Sequence, residues 1–215
     1  MAYVLGFFAA DGSMLKNKRG GHFIEFTSTD QIILKLIQTT IGSTHRIQRR
    51  NRNKDNSAVW KIQYRLQIGS KEWFRDLTRL TLTQRKSNTL VFPKVPSRYL
   101  SDFIRGYFDG DGCVYFSRHL QYADRKKPRK ILMTLFTSGS RSFLESLWVH
   151  IKRRGVRGGS LKKKNRGFEL VFSHADSLAL HHIMYHTDTA LELCLPRKRE
   201  KLEKAIQELG LAVVV

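Results

Sequence analysis

A ten-residue pattern occurs twice in this chain of 215 residues, as YVLGFFAADG at 3–12 and as FIRGYFDGDG at 103–112. Gly6, Phe8, Asp11 and Gly12 return one hundred positions later as Gly106, Phe108, Asp111 and Gly112, and apolar residues match apolar ones at most other sites. A repeat of this kind commits the chain to two copies of one structural unit. Each copy reads as a helix that stops at its final glycine, Gly12 or Gly112. Gly6 and Ala10 lie four apart, hence on one helical face, and so do Gly106 and Gly110. Small residues at that spacing admit a second backbone, so the expectation is that the two helices pack on each other through Gly6, Ala10, Gly106 and Gly110.

The segments after each motif follow one order. In the first half, Gly20-Gly21 reads as a hairpin turn before a strand at 22–27. Asp30 is placed to cap a helix carrying Ile32, Ile33, Leu36 and Ile37 at helical spacing. A basic strand at 45–53, a turn at 53–56 and a strand at 58–68 follow, then a helix at 71–82. In the 58–68 strand, Trp60, Ile62, Tyr64, Leu66 and Ile68 alternate with Lys61, Gln63, Arg65 and Gln67, which predicts one core face and one face of donors. Pro93 and Pro96 mark a connection. The second half repeats the order, with a long basic turn at 124–130, a strand at 131–137, a helix at 140–154, a hairpin over 158–173, a helix at 176–186 and a closing helix at 198–209. The expected organisation is α+β, with two αββαββα halves at 1–92 and 99–215 joined by a linker at 93–98.

Charge bounds the partner. The chain carries 39 Lys and Arg against 18 Asp and Glu, a formal net charge of +21. Self-repulsion on that scale calls for a polyanion, and duplex DNA presents a negative charge about every 1.7 Å of its axis. Arg46, Gln48, Arg50, Lys61, Gln63, Arg65, Arg118 and Lys162 are the expected contacts, since their donors suit phosphates and purine edges in the major groove. Cys113 and Cys194 make no disulfide framework, and no Cys/His spacing suits zinc. His181, His182 and His186 read as surface or core-edge residues. With no apolar run of membrane-spanning length and no secretory leader pattern, the expectation is a soluble intracellular protein without membrane partners.

Asp11 and Asp111 end their helices, where the dipole is already negative and each carboxylate costs about 0.3–1 kcal/mol. If the helices pack side by side, both carboxylates converge, beside the carbonyls of Ala10 and Gly110. An oxygen-only site of this charge suits Mg²⁺, Mn²⁺ or Ca²⁺. Carboxylates that hold divalent ions against a phosphate are the parts of phosphodiester hydrolysis. Asp109 faces only Ala9 in the other copy and reads as capping or salt-bridging, outside both interface and site.

Gly6-Phe-Phe-Ala-Ala-Asp-Gly12 and Gly106-Tyr-Phe-Asp-Gly-Asp-Gly112 resemble the signature helices of the LAGLIDADG homing endonucleases in their single-chain, two-motif form, and the likeness runs over nearly the whole chain. The resemblance implies a monomer whose eight strands form a DNA-binding saddle. It implies divalent ions at Asp11 and Asp111: Mg²⁺, with Mn²⁺ able to substitute and Ca²⁺ able to bind without supporting cleavage. Both strands of a long asymmetric target would be cut to leave 3′ overhangs. A lysine from each half near the scissile phosphates corresponds to Lys86 in Arg85-Lys-Ser87 and to Lys198 in Arg197-Lys-Arg199. Alternatives are an intron maturase, with host intron RNA as partner, a catalytically silent DNA or RNA binder of the same fold, and an RNA-binding structural protein. Ala9 in the first motif and the short lead-in before it depart from the family pattern.

Overall fold

The computed structural model describes residues 1–51, 61–119 and 129–211. In the first half, α1 (Ala2–Asp11) is followed by β1 (Gly12–Lys16), β2 (His22–Ser28), α2 (Gln31–Thr40), β3 (Gln48–Arg50), β4 (Gln63–Gly69) and α3 (Lys71–Arg79). In the second, α4 (Leu100–Asp111) leads to β5 (Gly112–His119), β6 (Arg129–Ser138), α5 (Arg141–Lys152), β7 (Ser160–Lys164), β8 (Gly167–Ser173), α6 (His174–Tyr185), α7 (Asp188–Glu192) and α8 (Pro196–Glu208). The fold is α+β with two four-stranded antiparallel sheets, ordered β1-β2-β4-β3 and β5-β6-β8-β7, so the repeat in sequence is a repeat in topology.

α1 is apolar all round, as a helix enclosed by other elements must be: Tyr3, Val4, Gly6, Phe7, Phe8 and Ala9 are all buried. Its main partner is α4, in which Phe103, Ile104, Gly106, Tyr107 and Phe108 are buried. The approach is set by two glycines. A Cβ added to Gly6 would overlap the Phe103 carbonyl oxygen and lie 2.9 Å from the Tyr107 nitrogen. One added to Gly106 would overlap the Tyr3 carbonyl oxygen and lie 2.9 Å from the Phe7 nitrogen. At the far end, a Cβ on Gly110 would overlap the Cβ of Ala10.

Each sheet turns one face to its helices. Met14, Ile24, Phe26, Leu66 and Ile68 are buried in the first half, and Val114, Leu132, Phe136, Leu170 and Phe172 in the second. Phe8 meets Phe26 edge-on at 5.4 Å, and Phe108 meets Phe136 at 5.6 Å in the same manner, which ties each motif helix to its own sheet.

Several local expectations need correction. Both motif helices end where expected, but Gly12 and Gly112 are extended (φ −88° and −92°) and begin β1 and β5 directly instead of forming a left-handed cap. Glycine is needed there because a Cβ would run into the ring of Phe8 or Phe108. Asp30 stands at the start of α2 without capping it, since its carboxylate is drawn to Arg197 in the other half. The basic strand at 45–53 shrinks to Gln48–Arg50, and the 58–68 strand starts at Gln63 among the described residues. The turn at 53–56 and Trp60 lie outside those residues, as does most of the 124–130 turn. α3 ends at Arg79, short of Leu82, and α8 begins two residues early because Pro196 fits a first helical turn. α7 was not expected.

Gly106→Ala gains helix propensity of about 1 kcal/mol, yet the new methyl would press on backbone that cannot swing aside. The expected outcome is a net loss of roughly 3 kcal/mol or more in urea unfolding. Wild-type stability in that variant would contradict the close approach of the two helices.

Candidate functional site

Because α1 and α4 pack side by side, their C-terminal ends arrive together. Asp11 and Asp111, the last residues of the two helices, form one electrostatic cluster with Lys86 and Lys198. Lys86 sits on a 3-10 turn at Lys86–Asn88 and donates from Nζ to the Gly12 carbonyl at 2.5 Å. Lys198, in the first turn of α8, donates to the carbonyls of Phe108 and Asp109 at 2.8 Å and of Gly110 at 3.3 Å. The two lysines are equivalents: Lys86 lies over the Phe8 ring at 5.5 Å and Lys198 over Phe108 at 5.4 Å. A cation at the carbonyl end of each motif helix opposes the negative dipole and the carboxylate beside it.

Burial is the largest influence on all four groups. It pushes Asp111 up to about 6, with the neighbouring Asp11 charge adding to the rise and Lys86 and Lys198 opposing it. Burial also raises Asp11, against the pull of Lys198 and then Lys86. Both lysines are lowered to about 8. Lys86 acts more strongly on Asp111 than on Asp11, and Lys198 more strongly on Asp11 than on Asp111. Each half thus supplies the cation for the other half's carboxylate.

The donor set fits a hard divalent ion. Among the described residues no group of three or more His, Cys, Asp or Glu side chains could hold a metal. Two half-buried carboxylates, unfavourably close to each other, are what Mg²⁺ commonly takes from a protein, leaving its remaining positions to water and phosphate. The backbone oxygens of Ala10 and Gly110 are in the last turns of the two helices, though Gly110 also accepts from Lys198.

Asp109 departs from its sequence reading. It is buried, accepts from the Tyr3 hydroxyl of α1 at 2.7 Å, and accepts from the Leu195 backbone N–H at 2.8 Å. It therefore spans the α1–α4 interface and also fixes the start of α8, which carries Lys198. Comparing the two motifs position by position hides this, because the partner Tyr3 is aligned with Phe103, not with Asp109. A second bridge between halves, Arg197 to Asp30, has contacts of 2.7–3.1 Å. Arg85, just before Lys86, is held in the left-handed region at φ 58°. Close by, a Cβ on Gly139 would overlap the Ser87 carbonyl and Asn88 side-chain oxygens, so this segment presses on the second half.

The expected DNA contacts fall into groups. Gln48, Arg50, Gln63 and Arg65 share the sheet face turned away from the helices. Arg65 is not free: its guanidinium donates to Glu25 at 2.7 Å and to Gln48 at 2.6 Å, and Gln67 donates to the same Glu25 oxygen at 2.6 Å. Glu25, a lone acid in a strand of a very basic chain, is an organiser that the sequence reading passed over. Arg46 and Lys61 are exposed beside this face, outside strands. Lys162 is exposed on β7. Arg118 pairs with Lys130 in the phase of the buried Val114, and its side chain lies outside the described residues. No helix among the described residues is long and apolar enough to cross a membrane.

Residues 1–81 match the family described as LAGLIDADG-like domain. Among curated proteins, the chain is 23% identical over 209 residues to the DNA-directed RNA polymerase subunit Rpo1C of Methanocaldococcus jannaschii, covering 97% of the chain and 21% of that protein. It is 33% identical over 98 residues to the reverse gyrase of the same organism, covering 46% of the chain and 6% of that protein. The chain thus spans only a small part of these relatives. Among solved structures, the LAGLIDADG meganuclease I-AabMI bound to uncleaved DNA superposes with a TM-score of 0.65 at 14% identity, over 98% of this chain and 91% of that one. The LAGLIDADG homing endonuclease I-SmaMI bound to cleaved DNA gives 0.62 at 14% identity, over 98% and 90%.

The raised Asp111 carboxyl has a measurable consequence. The folded protein holds this proton more tightly than the unfolded chain, so Asp111 withdraws stability as pH rises from the ordinary 3.8 through about 6. The shift corresponds to up to about 3 kcal/mol at neutral pH. Without divalent metal, Asp111→Asn should therefore unfold at higher urea than wild type near neutral pH, and the advantage should vanish as pH falls below the carboxylate range. A variant less stable than wild type at neutral pH would refute this electrostatic picture.

Proposed function

We propose that this chain, with a LAGLIDADG-like domain over residues 1–81 and the LAGLIDADG meganuclease fold throughout, is a site-specific DNA endonuclease that hydrolyses both strands of a long asymmetric duplex. The observation that carries the reading is the pair of half-buried carboxylates at the joined helix ends, flanked by two lysines where β1 and β5 begin, in a chain of net charge +21. A purely structural interface gains nothing from two mutually repelling acids at the negative ends of two helices. Perturbed titratable groups concentrated in one place are the mark of a working site.

In this reading Asp11 and Asp111 hold divalent metal, with the Ala10 and Gly110 carbonyls beside them. Bound metal would supply an activated water and charge stabilisation at the leaving oxygen. Lys86 and Lys198 would orient that water or a phosphate oxygen, and their cationic form would oppose the charge that develops on phosphorus. Anchoring of the lysines on helix-end carbonyls, with Asp109 fixing the start of α8, would keep them in place before DNA arrives. The outward sheet faces, with Gln48, Arg50, Gln63, Arg65 and Lys162, would contact the duplex together with Arg46 and Lys61 beside them and Arg118 near the end of β5. The 3′ overhangs rest on the family resemblance. Matches to small segments of two differently named proteins suit a module carried between genes.

Two experiments test the proposal. With Mg²⁺ and the target duplex, Asp11→Asn and Asp111→Asn should each lower double-strand cleavage by about a thousandfold or more, with binding retained. Unimpaired cleavage by the double variant would overturn it. Specific affinity should also fall by orders of magnitude between about 50 and 200 mM salt, through release of phosphate counterions. A flat salt response would remove the role given to the basic sheet faces.

A further inference from the structure

The two outward sheet faces differ in chemistry at equivalent positions. Phe26 pairs with Leu66 in one sheet and Phe136 with Leu170 in the other, which aligns the two lattices. One residue toward the outward face, Glu25 pairs with Ser13 and Gln67 in the first sheet. Their counterparts in the second are Leu135, paired with Cys113 and Val171. Next to this row Tyr115 pairs with Met133, and beyond it Ser117 with Ile131. A hydrogen-bonded row built on Glu25 in one half is thus an apolar row in the other.

This apolar face forms a depression of about 390 Å³ lined by Cys113, Tyr115, Ile131, Met133, Leu135 and Val171, and bordered by Lys162, Lys164 and Glu169. Lys164 is paired to Glu169 at 2.5 Å, and Lys162 extends from the exposed edge strand β7. Cys113 and Tyr115 are exposed, and the patch begins two residues after Asp111.

Resting on the endonuclease reading above, we propose that the second half reads its half-site through thymine C5-methyl groups, whereas the first half meets polar base edges with the hydrogen-bonded row that Glu25 organises from Arg65, Gln67 and Gln48. The occupant is duplex DNA because the patch is continuous with the carboxylate site and rimmed by cations, so a base pair held at the site places its neighbours over the apolar row. In the major groove the thymine methyl is the apolar feature that aliphatic side chains can recognise, while Arg and Gln suit guanine and adenine. Leu135, Val171 and Met133 offer no donor or acceptor there, so a half-site of G·C pairs would leave its polar edges unpaired against carbon.

The target is first selected from a randomised duplex library by cleavage with the intact protein. The expected half-site under the second half is rich in A·T pairs close to the cut, and the other half-site is not. Each thymine of the selected site is then replaced by deoxyuridine, which lacks only the methyl. Replacements under the second half should weaken binding about threefold each, and those under the first half should have little effect. Met133→Lys, an exposed-face change that leaves the core side intact, should abolish the deoxyuridine effect at its own base pair and favour guanine there. Cleavage with no A·T bias, or with equal deoxyuridine effects in both halves, would overturn this inference while leaving the endonuclease reading intact. Failure to cleave any member of the library would overturn both. A patch insensitive to base changes that instead mediates protein association would reassign the face to a protein partner.

Discussion

The fold depends on backbone-to-backbone contact at Gly6 and Gly106. At each glycine the opposing helix brings a carbonyl oxygen into the space a side chain would occupy. Helices that touch this closely have little freedom to slide or rotate, so their C-terminal residues are brought into register as well. The aromatic residues beside the glycines, Tyr3, Phe7, Phe8, Phe103, Tyr107 and Phe108, are all essentially buried. Their removal from water, about 1.5–3 kcal/mol for each large apolar side chain, supplies the force that holds this contact.

That contact creates the electrostatic problem the site is built around. Two carboxylates are carried to the negative ends of two helices and into one another's field, and burial raises both. The protein answers with two lysines, themselves depressed by burial, each of which acts more strongly on the opposite half's terminal aspartate than on that of its own half. In the proposed function, an arrangement that stays partly unfavourable by itself would be relieved by a cation and a phosphate. Asp109 holds the arrangement together from behind, joining Tyr3 of one half to the first turn of the helix that bears Lys198.

The duplicated scaffold does not impose duplicated surfaces. The inward faces of the sheets must match because each packs beneath a motif helix through equivalent Phe pairs. No such demand applies to the outward faces, and there Glu25 with its donors in one half stands where Leu135 stands in the other. Under the proposed function a symmetric frame with unequal faces suits an asymmetric duplex, since geometry at the cut would be shared while each half would read different bases.

Much of this was legible without coordinates. The motif repeat alone specifies two related halves, a shared helix pair through small residues and two acids at its end, because side-chain periodicity and glycine's missing Cβ are local properties of the sequence.

 The tertiary structure decided what depends on residues distant in sequence. Asp109 looks idle when the motifs are aligned, and gains its role only because Tyr3 and Leu195 arrive beside it from 106 and 86 positions away. Asp30 has the composition of a helix cap, but a guanidinium from the other half competes for its carboxylate and takes it. The family resemblance points to Lys86 and Lys198 in otherwise ordinary basic stretches, but only folding buries them and lowers them to about 8. The sequence by itself therefore determined the two halves, the helix pair and the two aspartates, whose signals are periodic and local. How the lysines are buried, and which bridges and sheet faces surround the aspartates, was decided by long-range packing, because burial and partnership belong to the assembled fold and to no single stretch of chain.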